Sequence, residues 1–420
     1  MLAPTADPMT RDEKRAGAAL ASIFGLRMLG LFLILPVFSV FAATLPGGED
    51  AFLVGFALGA YGLTQALFQI PFGLASDRFG RKPVITAGLL VFAAGSFLAA
   101  AAPDIYWVII GRVIQGAGAI SAAVTALAAD LTREQHRTKV MAMIGASIGG
   151  VFAISLVAAP LLYAAVGMAG IFALTGSLAL GAIVLLFKGV PNAPVAPPIV
   201  VAERVPFSAV LSHGQLLRMN FGVLALHAMQ TAMWVVVPPA LVAAGGLPLG
   251  EHWKIYLPAL LGSFVIMLPA ILLADRHGRT KAVFMAAIGL LTVVQFGLVM
   301  SGRATPDGSG PYAIGFWLLL FFVAFNILEA LQPSLISRIA PAAAKGAALG
   351  VYNTTQSIGL FLGGALGGWL LKHFGTGAVH GFSAALGAIW LVLAAGLALP
   401  ALRPAARIKT NNKQLCREEK

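Results

Sequence analysis

The sequence is built from apolar stretches of roughly twenty residues that recur along its whole length, with short polar segments between them. A helix rises 1.5 Å per residue, so about twenty residues cross the ~30 Å hydrocarbon layer of a bilayer. With 59% hydrophobic and 10% charged residues, the chain lacks the charge of an ordinary soluble domain. The pattern predicts an all-α membrane protein with twelve transmembrane helices, at residues 17–43, 52–74, 83–102, 105–129, 140–165, 169–187, 218–243, 255–274, 282–300, 313–336, 346–371 and 379–402.

The positive charge follows the predicted topology. The formal net charge is +12, and most of the 28 lysines and arginines lie in the first segment, the last segment and every second loop between them. Because Lys and Arg concentrate in cytoplasmic loops, we expect both termini in the cytoplasm and a multi-pass location in a bacterial inner membrane. Membrane lipid is therefore an expected partner of these charges and nucleic acid is not. The single cysteine, Cys416, excludes a disulfide within the chain.

A proline-rich stretch divides the chain into two similar parts. The predicted domains are an N-terminal six-helix half at residues 1–187, a cytoplasmic linker at 188–216, a C-terminal six-helix half at 217–402 and a basic cytoplasmic tail at 403–420. Each half has the string D-R-x-G-R after its second helix, at 77–81 and at 275–279. Internal repeats of this kind build several transporter folds.

These two loops are the most specific motifs of the sequence. Asp77 can pair with arginines or cap a helix, and Gly80 can adopt the positive φ that a tight turn needs. The residues by themselves indicate a charged turn at the inner membrane surface, and their resemblance to motif A of the major facilitator superfamily implies a cytoplasmic gate, which is the interpretation that we favour. The predicted gate residues are Gly73, Asp77, Arg78, Gly80, Arg81, Lys82 and Asp130, and the second-half motif comprises Asp275, Arg276, Gly278 and Arg279.

Four ionisable residues lie well inside predicted spans: Arg27, Arg112, His227 and Glu329, on the first, fourth, seventh and tenth. A charge in lipid is costly unless it faces water or a partner, so these residues indicate a polar pathway and are the candidates for proton coupling. Glu329 is the one acid deep within a predicted span. Two alternatives stay open: a permanent pair of Glu329 with Arg27 or Arg112, and a purely hydrogen-bonding role for His227.

Other polar side chains within the spans are candidates for contact with a small-molecule substrate, although each also suits hydrogen bonding between helices. They are Tyr61, Gln65, Gln69, Gln115, Gln230, Trp234, Asn326, Asn353 and Gln356. Glycines at four-residue spacing, namely Gly55/Gly59, Gly145/Gly149 and Gly359/Gly363/Gly367, predict close approach of the second, fifth and eleventh helices to their neighbours.

The string G-x-x-x-D-R-x-G-R-K at 73–82 resembles motif A of the major facilitator superfamily, and G-R-x-x-Q-G-x-G at 111–118 resembles its motif B. Further strings, such as 9–15, 61–65 and 130–135, resemble its drug:proton antiporter branch. The resemblance covers nearly the whole chain. It implies that Asp77 latches the two halves together on the cytoplasmic side, that Asp130 either joins this charge network or caps a helix, and that Arg112 takes part in proton coupling. Similar proteins have an extra soluble C-terminal domain, which we expect this chain to lack.

The sequence thus predicts a secondary active transporter, and proton-coupled efflux of an amphiphilic small molecule by alternating access is the favoured function. It would act as a monomer with a small-molecule substrate and protons as partners. The alternatives are a proton-coupled importer or uniporter of a metabolite, a lipid flippase, and a non-transporting membrane sensor or scaffold. Neither a Walker A string nor metal-ligand spacing is found, so an enzyme, a cofactor and a metal are not expected.

Overall fold

Every regular element in the described part of the chain is helical, in a computed structural model that describes residues 7–191, 210–276, 278–301, 310–341 and 344–398. A short 3-10 turn at Leu249–Glu251 accompanies the α-helices. The helices are α1 (Arg11–Phe32), α2 (Leu35–Ala42), α3 (Ala51–Phe79), α4 (Arg81–Ala100), α5 (Ile105–Ala117), α6 (Ser121–Asp130), α7 (Glu134–Gly189), α8 (Gly214–Gly245), α9 (Trp253–Arg276), α10 (Thr280–Ser301), α11 (Gly310–Ile339), α12 (Lys345–Phe374) and α13 (Thr376–Ala395). The predicted all-α fold is confirmed.

Polar residues set where several helices begin. Thr10 forms a capping box with Glu13 ahead of α1, and Asp50 accepts a hydrogen bond from the backbone N–H of Phe52 at the start of α3. These side chains satisfy N–H groups that have no partner within the first turn of a helix. Most predicted spans begin and end within about five residues of the observed helices, but the first helix begins six residues before its predicted span and the last ends seven residues before the end of its own.

Two predicted spans are joined into one long element, α7. Its 56 residues would extend about 80 Å as one straight helix, far more than a bilayer is thick. Gly167, with φ 66° and ψ −176°, interrupts it. The segment before Gly167 packs beside α1 in the same direction and the segment after it returns in the opposite direction, because Gly17 and Gly25 of α1 lie against the first segment and Gly30 lies against Thr175 of the second.

Among the described residues, ten helical segments are long and apolar enough to cross a membrane. Three of them join separate elements: Arg11–Ala42 joins α1 and α2, Ile105–Asp130 joins α5 and α6, and Leu249–Ala274 joins the 3-10 turn and α9. A fourth, Glu134–Gly189, is interrupted at Gly167. The count of twelve remains a prediction, because it requires that α7 supply two spans and that the glycine-rich α12 supply another. The boundaries of the halves also remain predictions, and residues 192–209 of the linker and the tail from 403 onwards lie outside the described residues.

The helices α3 and α12 meet backbone to backbone towards one end of the bundle, which we call the Asp50 end; the opposite end is the Asp77 end. Near Asp50, a Cβ atom added to Gly55 of α3 would lie 2.2 Å from the carbonyl oxygen of Gly364 in α12, so the two backbones touch. Gly359 and Gly363 of α12 lie equally close to the backbone of α8. The N-terminal parts of α7 and α12, which lie towards the Asp77 end, differ in this respect. Cβ atoms added to their glycines would meet no described atom within 4 Å; these glycines are Gly145, Gly149, Gly150, Gly346 and Gly350.

The close approach that glycine spacing predicts is therefore observed for α3 and α12. It is not observed for α7, although Gly145 and Gly149 have the same spacing. The two faces of α12 carry different glycines, and each face meets a different helix. As a result, α12 lies between α3 and α8 with hardly any side-chain volume separating the three backbones.

Candidate transport site

The acid and the histidine that the sequence singles out lie side by side. Nε2 of His227 on α8 is 3.7 Å from Oε2 of Glu329 on α11. The side chain of His227 is 5% exposed and that of Glu329 is 37% exposed, so the pair is reached from one side. Oε2 of Glu329 is itself buried and accepts no hydrogen bond from the described residues. A buried carboxylate oxygen without a donor is a group that can take up a proton or accept a hydrogen bond from a protonated neighbour.

A third helix joins this pair through an amide. Nε2 of Gln356 on α12 lies 2.6 Å from Nε2 of His227. The other ring nitrogen of His227, Nδ1, is 3.0 Å from the carbonyl oxygen of Val223 one turn earlier on α8. The ring of Phe325 stands edge-on to the imidazole at 6.0 Å between centroids. The structure thus brings together Glu329, His227 and Gln356, which the sequence predicts separately as coupling and substrate residues.

Arg27, the first buried arginine, is bound by neutral groups. Its Nη2 donates to the hydroxyl oxygen of Tyr61 at 2.5 Å and its Nη1 to the hydroxyl oxygen of Ser121 at 3.4 Å. The guanidinium carbon also lies 5.7 Å from the ring centroids of both Tyr61 and Phe92. The residue is fully buried, and its Nε has no hydrogen-bond partner among the described residues.

Arg112 is bound in a similar way, and its guanidinium carbon lies 5.1 Å from the ring centroid of Tyr61. Its Nε and Nη2 donate to the carbonyl oxygens of Ala57 and Leu58 in α3, each at 3.3 Å, and its Nη1 donates to Oε1 of Gln115 at 2.9 Å. The amide nitrogen of Gln115 continues the chain to Ser96 at 2.7 Å. Neither arginine pairs with Glu329 in this structure, where the ionisable neighbour of the acid is His227.

The other predicted cavity residues fall into two groups. Asn353 and Gln356 are half-buried on α12, and Asn326 is half-buried with its amide nitrogen 3.0 Å from the hydroxyl oxygen of Ser263. Trp234 is fully buried against Tyr256, with 5.7 Å between ring centroids. The remaining members are each more than nine-tenths buried: Tyr61, Gln65, Gln69, Gln115 and Gln230. Substrate contact stays a prediction for all nine.

The predicted cytoplasmic gate forms a charge network between α3, α4 and α6. Arg81 pairs with Asp77 one turn before it, and its Nε lies 2.9 Å from Oδ2 of Asp130 at the end of α6. Its Nη1 also donates to Ser76. Asp130 therefore lies in the network rather than capping α7, whose N-cap residue is Arg133. Within the described residues, the ion pairs of Asp77 and Asp130 connect helices of the first half.

The remaining motif residues shape the loops around this network. Gly80 has φ 91° and joins α3 to α4, and Gly278 has φ 65° at the equivalent position of the second half. A Cβ atom added to Gly73 would lie 3.4 Å from the Cβ of Ala122 in α6. The guanidinium of Arg78 lies over the ring of Phe79, and Nζ of Lys82 donates to the carbonyl oxygen of Val190. Asp275 lies in the last turn of α9, while Arg276 and Arg279 are exposed.

Among the ion pairs that were not predicted from the sequence, two lie at opposite ends of the bundle. Nζ of Lys372 at the end of α12 is 2.7 Å from Oδ2 of Asp50, and this hydrogen bond lowers the pKa of the Asp50 carboxyl. At the opposite end, Nε of Arg133 is 2.9 Å from Oε1 of Glu13, and the hydrogen bonds to Glu13 raise the pKa of Arg133. The only signal for the first pair is that Lys372 is one of few cations in the predicted outer loops. The second leaves no recognisable pattern in the sequence.

A bundle of membrane-crossing helices with an acid, a histidine and amides meeting inside it is the architecture of a membrane transporter. The family model of the Major Facilitator Superfamily matches residues 20–251 and 219–416. The chain belongs to this superfamily and is a secondary transporter rather than an enzyme.

Individual relatives agree with this assignment. The chain is 44% identical to the inner membrane transport protein YajR of Escherichia coli over 96% of this chain and 87% of the relative. It is 27% identical to the multidrug resistance protein MdtH of Aeromonas hydrophila, over 87% of this chain and 88% of the relative. Among solved structures, a D-xylose-proton symporter matches with a TM-score of 0.72 at 17% identity, over 93% of this chain and 98% of that one. The predicted family and multi-pass inner-membrane location are confirmed.

Proposed function

We propose that the chain exports amphiphilic small molecules in exchange for protons, and that Glu329 carries the coupling proton with His227 as its partner. The observation that carries this proposal is the 3.7 Å separation of the two side chains inside the bundle. A carboxylate whose buried oxygen lacks a donor can bind a proton without breaking an existing hydrogen bond. Its partial exposure gives the proton, or a cationic substrate, a path to the same group.

The chemistry around the pair favours an amphiphilic and cationic substrate. Phe325 beside His227 belongs to a group of rings that includes Phe152, Phe321 and Phe322. Aromatic faces next to a carboxylate suit an organic cation, because both attract positive charge and the rings supply apolar contact area. The similarity to a protein named for multidrug resistance supports the same substrate class. Substrate and proton would then compete for Glu329, which is the simplest basis for antiport.

We also propose that the Asp77 end faces the cytoplasm. The basic loops at that end agree with the positive-inside rule. Tight packing at the Asp50 end and open space at the Asp77 end are what a cytoplasm-facing form of an alternating-access transporter requires. In the opposite form the two halves would close at the Asp77 end, where Asp77 would leave Arg81 for a partner in the second half. The halves, the linker and the monomeric state enter this proposal as predicted from the sequence.

The test is proton movement in proteoliposomes that contain a pH-sensitive dye and receive a panel of amphiphilic cations. We expect at least one compound to release protons with the wild type, and Glu329→Gln to abolish this release while retaining the fold. Glu49→Gln is the matched control, since it makes the same change at an exposed loop position. Proton release that is equal in Glu329→Gln and wild type would show that another group carries the coupling. If sugars or nucleosides move protons and the cations do not, metabolite import replaces export.

A further inference from the structure

The contacts of His227 fix which of its ring nitrogens can change protonation state. Nδ1 lies 3.0 Å from the carbonyl oxygen of Val223, and a carbonyl oxygen only accepts hydrogen bonds. Nδ1 therefore holds a hydrogen whether the imidazole is neutral or charged. The proton that is gained and lost lies on Nε2, the nitrogen that faces Glu329 and Gln356.

The amide of Gln356 is compatible with only one state of that nitrogen. Its Nε2 is 2.6 Å from Nε2 of His227, and an amide N–H donates. The contact as it stands needs the lone pair of a neutral imidazole. Once His227 binds a second proton, two N–H donors face one another, so the amide must turn its oxygen towards the ring or leave it. The nearby Oε2 of Glu329, which accepts no hydrogen bond from a described residue, then takes the new N–H.

We propose that Gln356 is a positioning residue. Its hydrogen bond to His227 changes when the imidazole is protonated, and this change alters the position of α12. Gln356 lies one turn before the glycines by which α12 contacts the backbone of α8, where a Cβ added to Gly359 would lie 2.5 Å from the carbonyl oxygen of Leu224. The other face of α12 meets α3 just as closely. Because α12 packs against both helices without intervening side chains, it cannot absorb a local change by small adjustments. A change of hydrogen-bond partner at Gln356 therefore moves α12 relative to α3 and α8. The inference rests on the proposed proton site.

Most titratable groups on the helices that pack around His227 lie near the helix ends: Asp77, Arg78, Arg218, Tyr312, Arg338, Lys345, Lys372 and His373. Glu329 is on α11, and Tyr352 lies one turn before Gln356 on α12, with a buried hydroxyl that has no partner among the described residues. On α3, Tyr61 is bound to Arg27, and on α13, His380 is bound to Gln295 of α10. α2 has no titratable residue. The pH response at this site thus comes from His227 and Glu329, with Gln356 as the uncharged group that follows it.

The test measures the movement of α12 directly and needs no substrate. In a Cys416→Ser background, spin labels at Leu74 of α3 and Lys345 of α12, both exposed, report the distance between the two helices at the Asp77 end. The full chain in nanodiscs is measured by pulsed electron paramagnetic resonance from pH 5 to pH 8. We expect the wild-type distance distribution to change across this range with a defined midpoint.

Two variants at one position separate a positioning role from a merely structural one. Gln356→Met keeps the volume but has no hydrogen-bonding group for Nε2, so the pH-dependent change should shrink by at least half. Gln356→Glu supplies a carboxylate beside Nε2 that favours the protonated imidazole, so the midpoint should move upward by about one pH unit, which corresponds to a hydrogen bond to a charged group. Gln332→Met is the control, because the buried amide of Gln332 on α11 has no partner among the described residues.

The outcomes distinguish this inference from the proposed function. A smaller pH-dependent change in Gln356→Met and a raised midpoint in Gln356→Glu, with Gln332→Met like wild type, support the inference even if no amphiphile moves protons in vesicles. A wild-type distance that does not depend on pH overturns it. It is also overturned if both Gln356 variants keep the wild-type midpoint and amplitude, or if both only lower thermal stability. In those cases Glu329→Gln can still abolish proton release, so the export proposal is judged separately.

Discussion

At the scale of single residues, the buried arginines and the buried acid are handled differently. Arg27 and Arg112 are surrounded by hydroxyl, amide and carbonyl oxygens of nearby helices and by aromatic rings, so each charge is stabilised without a carboxylate. Oε2 of Glu329 accepts no hydrogen bond from the described residues. A buried charge that is hydrogen-bonded to its surroundings is expensive to disturb. This contrast supports a structural role for the two arginines and agrees with the proposed proton exchange at Glu329.

Removing the acceptor of Arg27 should therefore destabilise the protein. Tyr61→Phe keeps the ring beside the guanidinium but deletes the hydroxyl that accepts at 2.5 Å. A buried charged donor left with one long hydrogen bond costs about 1–3 kcal/mol. We expect a lower melting temperature in detergent, whereas Tyr106→Phe, at a residue that is 57% exposed, should leave it unchanged. An unchanged melting temperature in Tyr61→Phe would mean that the rings alone stabilise Arg27.

The sequence predicts site residues where a residue type is unusual for its surroundings. It does not predict which residues from distant parts of the chain contact one another. Glu329 and His227 stand out because ionisable groups are rare in apolar spans. Their approach, and that of Gln356, could not be predicted, since they are far apart in the chain and their register depends on how closely α12 packs. The hydrogen bonds of Arg112 to carbonyl oxygens of α3 could not be predicted from residue types, because every residue has a backbone carbonyl. Motif strings predicted the gate network around Arg81 better, since its members are close in sequence or part of a repeated string.

At the scale of helices, α12 is the element whose sequence and role are most closely linked. Its glycines lower its hydropathy enough that it is not among the ten apolar candidate spans, yet they let it contact α3 and α8 backbone to backbone. Such contacts are favourable only at close range and in one register. A helix held in this way can pass from one well-packed arrangement to another but does not bend gradually between them.

One methyl group in this contact should open the Asp50 end. A Cβ at Gly364 would lie 2.4 Å from the carbonyl oxygen of Gly55, so Gly364→Ala forces α3 and α12 apart. Overpacking of this kind costs about 1–3 kcal/mol, which lowers the ratio of closed to open forms by a factor of about 5 to 150. Spin labels at Glu49 and Phe374, on the two sides of the closed end, measure that population.

The control for this experiment is Gly181→Ala on α7, because a Cβ there meets no described atom within 4 Å. Its distance distribution should match that of the wild type. If Gly364→Ala also matches the wild type, then α3 and α12 do not need backbone contact to close, and the glycines of α12 serve another purpose.

At the scale of the whole molecule, one packed core extends across both halves of the chain, and another lies within the first half. The shared core includes α2 and α8, where the hydroxyl of Ser39 donates to the carbonyl oxygen of Trp234 at 2.9 Å. The contacts that join the halves lie towards the Asp50 end, so they must break whenever that end opens. Alternating access thus requires that each of these contacts be weak enough to exchange, and a partly exposed ion pair meets this requirement.

The Asp50–Lys372 ion pair should strengthen closure without sensing physiological pH. Because its bond to Lys372 lowers the pKa of Asp50, the stabilisation is complete above the ordinary value of about 3.9 and is lost only as pH falls through the lowered pKa. Asp50→Asn keeps a residue that caps α3 but removes the charge. A partly exposed pair contributes up to about 1 kcal/mol, so the closed population measured with the labels at Glu49 and Phe374 should fall by a factor of about five at most.

The fall should be equal at pH 5 and pH 8 and smaller at high salt. Lys372→Gln should cause the same fall, and the double variant should show no further fall. A loss confined to one end of that pH range would mean that a second pH-sensitive group lies at the Asp50 end. It would contradict the proposal that His227 and Glu329 alone carry the coupling.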